Sequence, residues 1–297
     1  MLGTVQLGLK YGINNKTGKP SRKDSFAILE KAVEEGINIF DTAAAYGDAE
    51  EILGEFIASR GLKNKVKVIS KLFPNLVKEK NKNTEMLVLK EVKKSLQRLQ
   101  LKTLDGFLLH TPTDFYNKHV IKGLQKCRGE GLIKHFGVSI YETKHALDVV
   151  GSRLVDYIQV PYNIFDQRLS KTDFFKIAER NNVKVFARSP FLQGLLFMEE
   201  DNMPPRLSEV KKYLREFDNI LNKYHFSRLE ACLFFSFMNP NIDYVVFGVE
   251  TKKQLDEDIK AVVGRNKSSF DACMEELNNR FVNIKKAIIF PSLWSKK

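Results

Sequence analysis

The sequence predicts an α/β fold, a (β/α)8 barrel of the TIM type with additional helices after strand 7 and at the C-terminus. Three observations predict it. Short β-branched runs alternate with longer amphipathic stretches, the pattern of a parallel sheet with crossover helices. Eight such alternations fit within roughly 250 residues, the usual size of a closed barrel. The GxGxxG turn that would open the first helix of a nucleotide-binding open sheet is absent. Its nearest counterpart, Gly3-Thr4-Val5-Gln6-Leu7-Gly8, lies inside or at the end of a strand.

Strands are expected at 3–7, 37–40, 66–70, 104–109, 133–138, 155–160, 183–187 and 244–247. Helices are expected near 23–35, 49–60, 84–100, 118–130, 142–150, 171–181, 227–238 and 251–263. Ser21-Arg22-Lys23-Asp24, Ser227-Arg228-Leu229-Glu230 and Thr251-Lys252-Lys253-Gln254 read as capping boxes or close variants, in which side chains satisfy the free N–H groups of a first helical turn. Two segments fall outside the alternation. The stretch 188–206, with Pro190, Gly194, Pro204 and Pro205, reads as a long loop. It leads into a helix in which Leu207, Val210, Leu214, Phe217, Leu221 and Tyr224 recur every three or four residues. A last helix near 270–286 precedes Phe290-Pro291-Ser292-Leu293-Trp294. Both segments are candidates for lids or walls of a site. With no linker or low-complexity stretch, residues 1–297 are expected to form a single barrel domain.

Composition narrows the function classes. A hydrophobic content of 43% suits a large buried core. No run approaches the roughly 18 to 20 apolar residues of a membrane span, and Met1-Leu2-Gly3-Thr4-Val5-Gln6 lacks the marks of a secretory signal. Cys127, Cys232 and Cys273 are scattered, so neither a disulfide framework nor a metal site is indicated, and the cytoplasm is the expected compartment. The formal charge is +12. In its densest basic run, Lys78 to Lys102, the apolar residues Val88, Val92, Leu96 and Leu99 lie at helical spacing while Lys90, Lys93, Lys94 and Gln97 take the other side. No aromatic residues accompany those lysines for base stacking, so a solvated helix face is expected rather than a nucleic-acid surface. No membrane partner is expected, and the sequence does not fix an oligomeric state.

Reactive side chains follow three consecutive strands. The second is followed by Asp41-Thr42-Ala43-Ala44-Ala45-Tyr46-Gly47, the third by Lys71, the fourth by His110-Thr111-Pro112. In a parallel barrel these carboxyl ends share the face where active sites sit. An acid, a phenol, an amine and an imidazole together make a proton donor. The phenol has an ordinary pKa near 10, a nearby ammonium stabilises its phenolate, and a carboxylate orients that ammonium. The imidazole can donate a hydrogen bond to a carbonyl oxygen that gains charge. Such a site lacks only a hydride, which a nicotinamide cofactor supplies.

The run Gly36-Ile37-Asn38-Ile39-Phe40-Asp41-Thr42-Ala43, with Tyr46-Gly47, Glu51-Ile52-Leu53-Gly54, Ser70-Lys71, Leu108-Leu109-His110 and Gly137-Val138-Ser139, resembles the aldo-keto reductase family. The likeness continues through Gln159-Val160-Pro161-Tyr162-Asn163, Ala187-Arg188-Ser189-Pro190 and Gln193-Gly194-Leu195-Leu196, covering nearly the whole chain. The resemblance implies reduction of a small-molecule aldehyde or ketone by Asp41, Tyr46, Lys71 and His110, with Ser139 and Gln159 holding the nicotinamide carboxamide. It also implies cofactor contacts at Arg188, Ser189, Gly248, Lys252, Lys253, Gln254 and Asp258. NADPH is the expected cofactor and NADH the alternative, because Gln254 stands where a basic residue often meets the 2′-phosphate, leaving that role to Lys252 or Lys253. Ile140 replaces a frequent asparagine. Arg188 replaces a frequent aromatic, and either stacks on the nicotinamide or turns toward an anionic substrate. The start of the chain and Phe191-Leu192-Gln193-Gly194-Leu195-Leu196 resemble a bacterial branch found among surface-polysaccharide genes, which implies a sugar or nucleotide-sugar carbonyl as substrate. Potassium-channel beta subunits share the family pattern as binding partners, so a cofactor-binding regulatory or scaffold protein is the alternative function.

Overall fold

The structure is a computed structural model that describes residues 1–77, 83–263 and 270–294. Among these residues, eight parallel strands run in sequence order around one sheet: β1 (Leu2–Gly3), β2 (Ile39–Asp41), β3 (Lys67–Lys71), β4 (Leu104–Leu109), β5 (Ile133–Ser139), β6 (Tyr157–Pro161), β7 (Lys184–Arg188) and β8 (Tyr244–Val246). Leu2 bridges Phe247 in parallel, and Gly3 N–H donates to Phe247 O at 2.7 Å, so the first and last strands meet and close the barrel. The basis is β-branched strand sequence that buries on both faces, as a helix-covered parallel sheet requires.

The helices follow the expected amphipathic stretches. Thr84–Leu99 buries Val88, Val92, Leu96 and Leu99, and turns Lys90, Lys93 and Lys94 to solvent. The first residues of the basic run, 78–82, lie outside the described residues. Ser227 caps Arg228–Phe237 in a full capping box with Glu230, and Ser21 accepts from Asp24 N–H. At the third predicted cap, Gln254 N–H donates to Thr251 Oγ1, but the Gln254 side chain accepts from Glu250 N–H instead of Thr251 N–H. The inserted helix is Val210–Tyr224, and the C-terminal one divides into Asp271–Phe281 and Lys286–Ile289.

The first strand is shorter than its sequence suggests. A strand over 3–7 is expected, yet Val5–Gly8 forms one helical turn. Thr4 N–H donates to Asp41 O, Leu7 N–H turns back to Thr4 O, and the chain leaves the sheet after Gly3. The turn then packs on the loop after β2. A Cβ on Gly8 would lie 1.7 Å from Tyr46 O, and one on Gly47, whose φ is +56°, would lie 2.3 Å from Gly8 O. Two glycines in backbone contact thus fix the loop that carries Tyr46.

Among the described residues no helix is long and apolar enough to cross a membrane. The three cysteines are free and buried, and among the described residues no His/Cys/Asp/Glu cluster could hold a metal.

Gly8→Ala should therefore destabilise the fold by about 1–3 kcal/mol, the usual cost of overpacking. At roughly 2–4 °C per kcal/mol for a chain of this size, a melting curve would show the loss. An unchanged Tm would mean that Gly8 and Tyr46 are not in this contact.

Candidate active site

Side chains on a strand alternate faces, so every second residue points into the barrel. Ile69, Leu108, Phe186 and Val246 form a separate apolar cluster with Ile39, Tyr157 and Met1 packed against it. Two residues further along the same strands stand Lys71, His110, Arg188, Gly248, Asp41 and Gln159. The apolar layer plugs the barrel, and the next layer on the carboxyl side is polar. Register aligns it: Lys71 pairs with Leu108, Ser139 with Gln159, and Pro161 with Arg188.

The polar layer is built on a buried ion pair. Lys71 Nζ donates to both Asp41 oxygens, at 2.7 and 2.6 Å, and to Thr42 O at 2.9 Å. All three ammonium protons are thereby used, which is what a fully buried lysine requires. Burial lowers the Lys71 pKa, with Asp41 opposing the shift. Gln159 Nε2 donates to Asp41 Oδ1 at 2.8 Å from across the barrel, and Ser139 Oγ lies 3.5 Å from Gln159 Oε1.

Tyr46 stands over this pair. Lys71 Nζ is 5.0 Å from its ring centroid, and the His110 ring meets it edge-on with centroids 5.8 Å apart. Desolvation holds the Tyr46 phenol well above its ordinary range, Asp41 adds to this, and Arg188 opposes it. The phenol is therefore protonated at neutral pH. Burial pushes His110 down to about 3, with the charges of Lys71 and Arg188 assisting. Its imidazole is neutral at physiological pH, and one ring nitrogen carries a hydrogen it can donate.

Tyr46 and His110 line a cavity of about 1190 Å³ with Asp41, Ser139, Gln159, Arg188 and Ser189. The cavity extends to Gly248, Glu250, Gln254, Glu257 and Asp258, and its walls include Phe191, Phe197 and the segment 290–293. Of the sequence-predicted residues, Lys71 lies beneath the cavity floor, and Lys252 and Lys253 are exposed outside its lining. Lys253 instead faces Glu257 at 3.7 Å. Among the described residues, three that line the cavity carry a buried polar atom without a partner: Gln6 Oε1, His110 Nδ1 and Asp258 Oδ2. Unpartnered polar atoms at several points of one large cavity fit a long polar ligand such as a dinucleotide.

Sequence reasoning missed Gln6, Tyr11, Asn75 and Tyr141, which also line the cavity. Tyr141 is the sharpest omission. The Arg188 guanidinium lies 4.3 Å from its ring centroid and donates to Ile140 O at 3.0 Å, so Arg188 spans the barrel mouth to the end of β5. A tyrosine just past Ser139 was the available signal.

Comparison with known proteins agrees with this architecture. Residues 1–277 match the aldo/keto reductase family. The uncharacterized oxidoreductase YqkF of Bacillus subtilis (strain 168) is 26% identical over 282 residues, covering 89% of this chain and 90% of that protein. Methylglyoxal reductase YeaE of Escherichia coli (strain K12) is 29% identical over 179 residues, 58% of this chain and 60% of that protein. The solved structure of aldo-keto reductase AKR11C1 from Bacillus halodurans in its holo form superposes with a TM-score of 0.78 at 19% identity, covering 97% of this chain and 94% of that one.

The far end of the cavity yields a pH test. Burial, with Glu257 adding, pushes the Asp258 carboxyl up to about 8. Where the unfolded chain has released the proton and the folded chain still holds it, stability falls as pH rises, here from the ordinary carboxylate range toward about pH 8. Asp258→Asn should raise Tm near about pH 8 and change it much less near about pH 4. An equal effect at both would contradict the assignment.

Proposed function

Because this chain belongs to the aldo/keto reductase family, we propose that it reduces a small-molecule aldehyde or ketone with NADPH, NADH being the alternative, through Tyr46, His110, Lys71 and Asp41. The observation that carries the reading is the convergence of a protonated phenol, a neutral imidazole and a buried ammonium–carboxylate pair at one end of a single large cavity. A dinucleotide bound in this cavity would supply the hydride. Tyr46 gives its proton to the carbonyl oxygen, where negative charge develops. His110, uncharged, donates a hydrogen bond to the same oxygen. Lys71, fixed by Asp41, stabilises the phenolate left behind, and the phenol is restored from solvent. Ser139 and Gln159 would hold the carboxamide. Ser189, Gly248, Gln254 and Asp258 would hold the remainder of the cofactor, and Lys252 and Lys253 could reach a 2′-phosphate only from the exposed rim. The three buried free cysteines support a reducing compartment, the cytoplasm.

Tyr46→Phe tests the reading against a protein that only binds cofactor. Carbonyl reduction should fall by roughly 10²–10⁴-fold, the usual contribution of a general acid, while the dissociation constant of NADPH stays within about twofold. Near-normal turnover in Tyr46→Phe would remove the phenol from this role.

A further inference from the structure

Arg188 is the one charged group near Tyr46 whose partners among the described residues are all neutral. Its Nη2 donates to Ile140 O at 3.0 Å, its Nη1 to Ser189 Oγ at 3.3 Å, and its plane rests on Tyr141. The other cavity-lining charges beside it are matched. Asp41 holds Lys71, and Lys286 is paired with Glu142. The backbone around Arg188 is also fixed. Tyr162 N–H donates to Arg188 O at 3.2 Å, Asn163 Nδ2 donates to Ser189 O at 3.0 Å, and Ser189 is held at φ +62°, an uncommon conformation for a residue with a side chain.

A half-buried guanidinium with only neutral partners pays for desolvation without an ion pair. It carries five N–H groups in a rigid fork suited to two oxygens of one anion, and two of them are used here. Gln254 and Asp258, proposed to hold the far part of the cofactor, lie on the helix after β8, whereas Arg188 ends β7 and acts electrostatically on both Tyr46 and His110. We propose that the substrate is an anionic carbonyl compound, its carboxylate or phosphate docked on Arg188 while its carbonyl oxygen meets Tyr46 and His110. This rests on the reductase reading and adds a substrate class to it. Tyr141 positions the guanidinium, and the charge selects the substrate.

The test compares kcat/KM for charged and neutral partners of similar shape with NADPH: succinic semialdehyde against butanal, and glyceraldehyde 3-phosphate against glyceraldehyde. The wild-type protein should favour the anionic member of at least one pair by roughly ten- to a hundredfold, the range for a charge-assisted contact. The pair that shows it identifies carboxylate or phosphate. That ratio should shrink with added salt, collapse in Arg188→Met and survive in part in Arg188→Lys, which keeps the charge should the methionine variant fold poorly. Calorimetric titration of the NADPH-loaded protein with succinate and inorganic phosphate separates the two readings. Anion binding that Arg188→Met abolishes, without reduction of any carbonyl, would support the anion site and remove the reductase reading. Equal kcat/KM within both wild-type pairs, a preference that persists in Arg188→Met, or neither reduction nor Arg188-dependent binding would overturn the proposal.

Discussion

The buried pair of Lys71 and Asp41 is the interaction on which the rest of the site depends. An ammonium with no solvent exposure carries a desolvation penalty of several kcal/mol, and only close geometry with every proton used offsets it. Here the geometry comes from three sources: the two carboxylate oxygens, the Thr42 carbonyl, and the amide of Gln159 that fixes Asp41 from across the barrel. Asp41 ends β2, Thr42 follows it, and Gln159 lies in the middle of β6. The pair therefore ties the chemistry to the closure of the barrel, because β2, β3 and β6 must all be in register for it to form. Its net charge is near zero, while desolvation, with Asp41 adding, keeps Tyr46 protonated, and Arg188 stands beside it with neutral partners.

The two-residue period of a strand explains why the polar groups lie together at all. Ile39, Ile69, Leu108, Tyr157 and Phe186 fill the barrel, and the inward residues one pleat later are Asp41, Lys71, His110, Gln159 and Arg188. A shift of one residue in any strand would turn its functional side chain toward the helices. The apolar plug beneath excludes water from the floor of the site, which accounts for the directions in which His110, Lys71 and Tyr46 are shifted.

Much of this is legible in sequence, and the limits have physical causes. Seven strands and their helices follow from β-branched runs and amphipathic periods. The strand expected over 3–7 does not, because hydrogen bonds to Asp41 and contact with the Tyr46 loop, both distant in sequence, override local preference. Asp41, Tyr46, Lys71 and His110 could be read as a set because each follows a strand end. The bond from Gln159 to Asp41 joins residues 118 apart and leaves no mark on the local pattern. Arg188 could be singled out as unusual, but its seat on Tyr141 depends on the register of β5, β6 and β7. Lys252 and Lys253 illustrate the reverse limit. A basic pair next to a motif does not show which way the helix turns it, and both residues face solvent.

Proton transfer from Tyr46 depends on where a carbonyl oxygen sits when substrate is bound. A crystal structure of the protein with oxidised cofactor and a carbonyl compound tests this most directly. The oxygen should lie within about 2.6–3.2 Å of both the Tyr46 hydroxyl and a ring nitrogen of His110. An oxygen held elsewhere, with Tyr46 bonded to neither substrate nor its product, would contradict it.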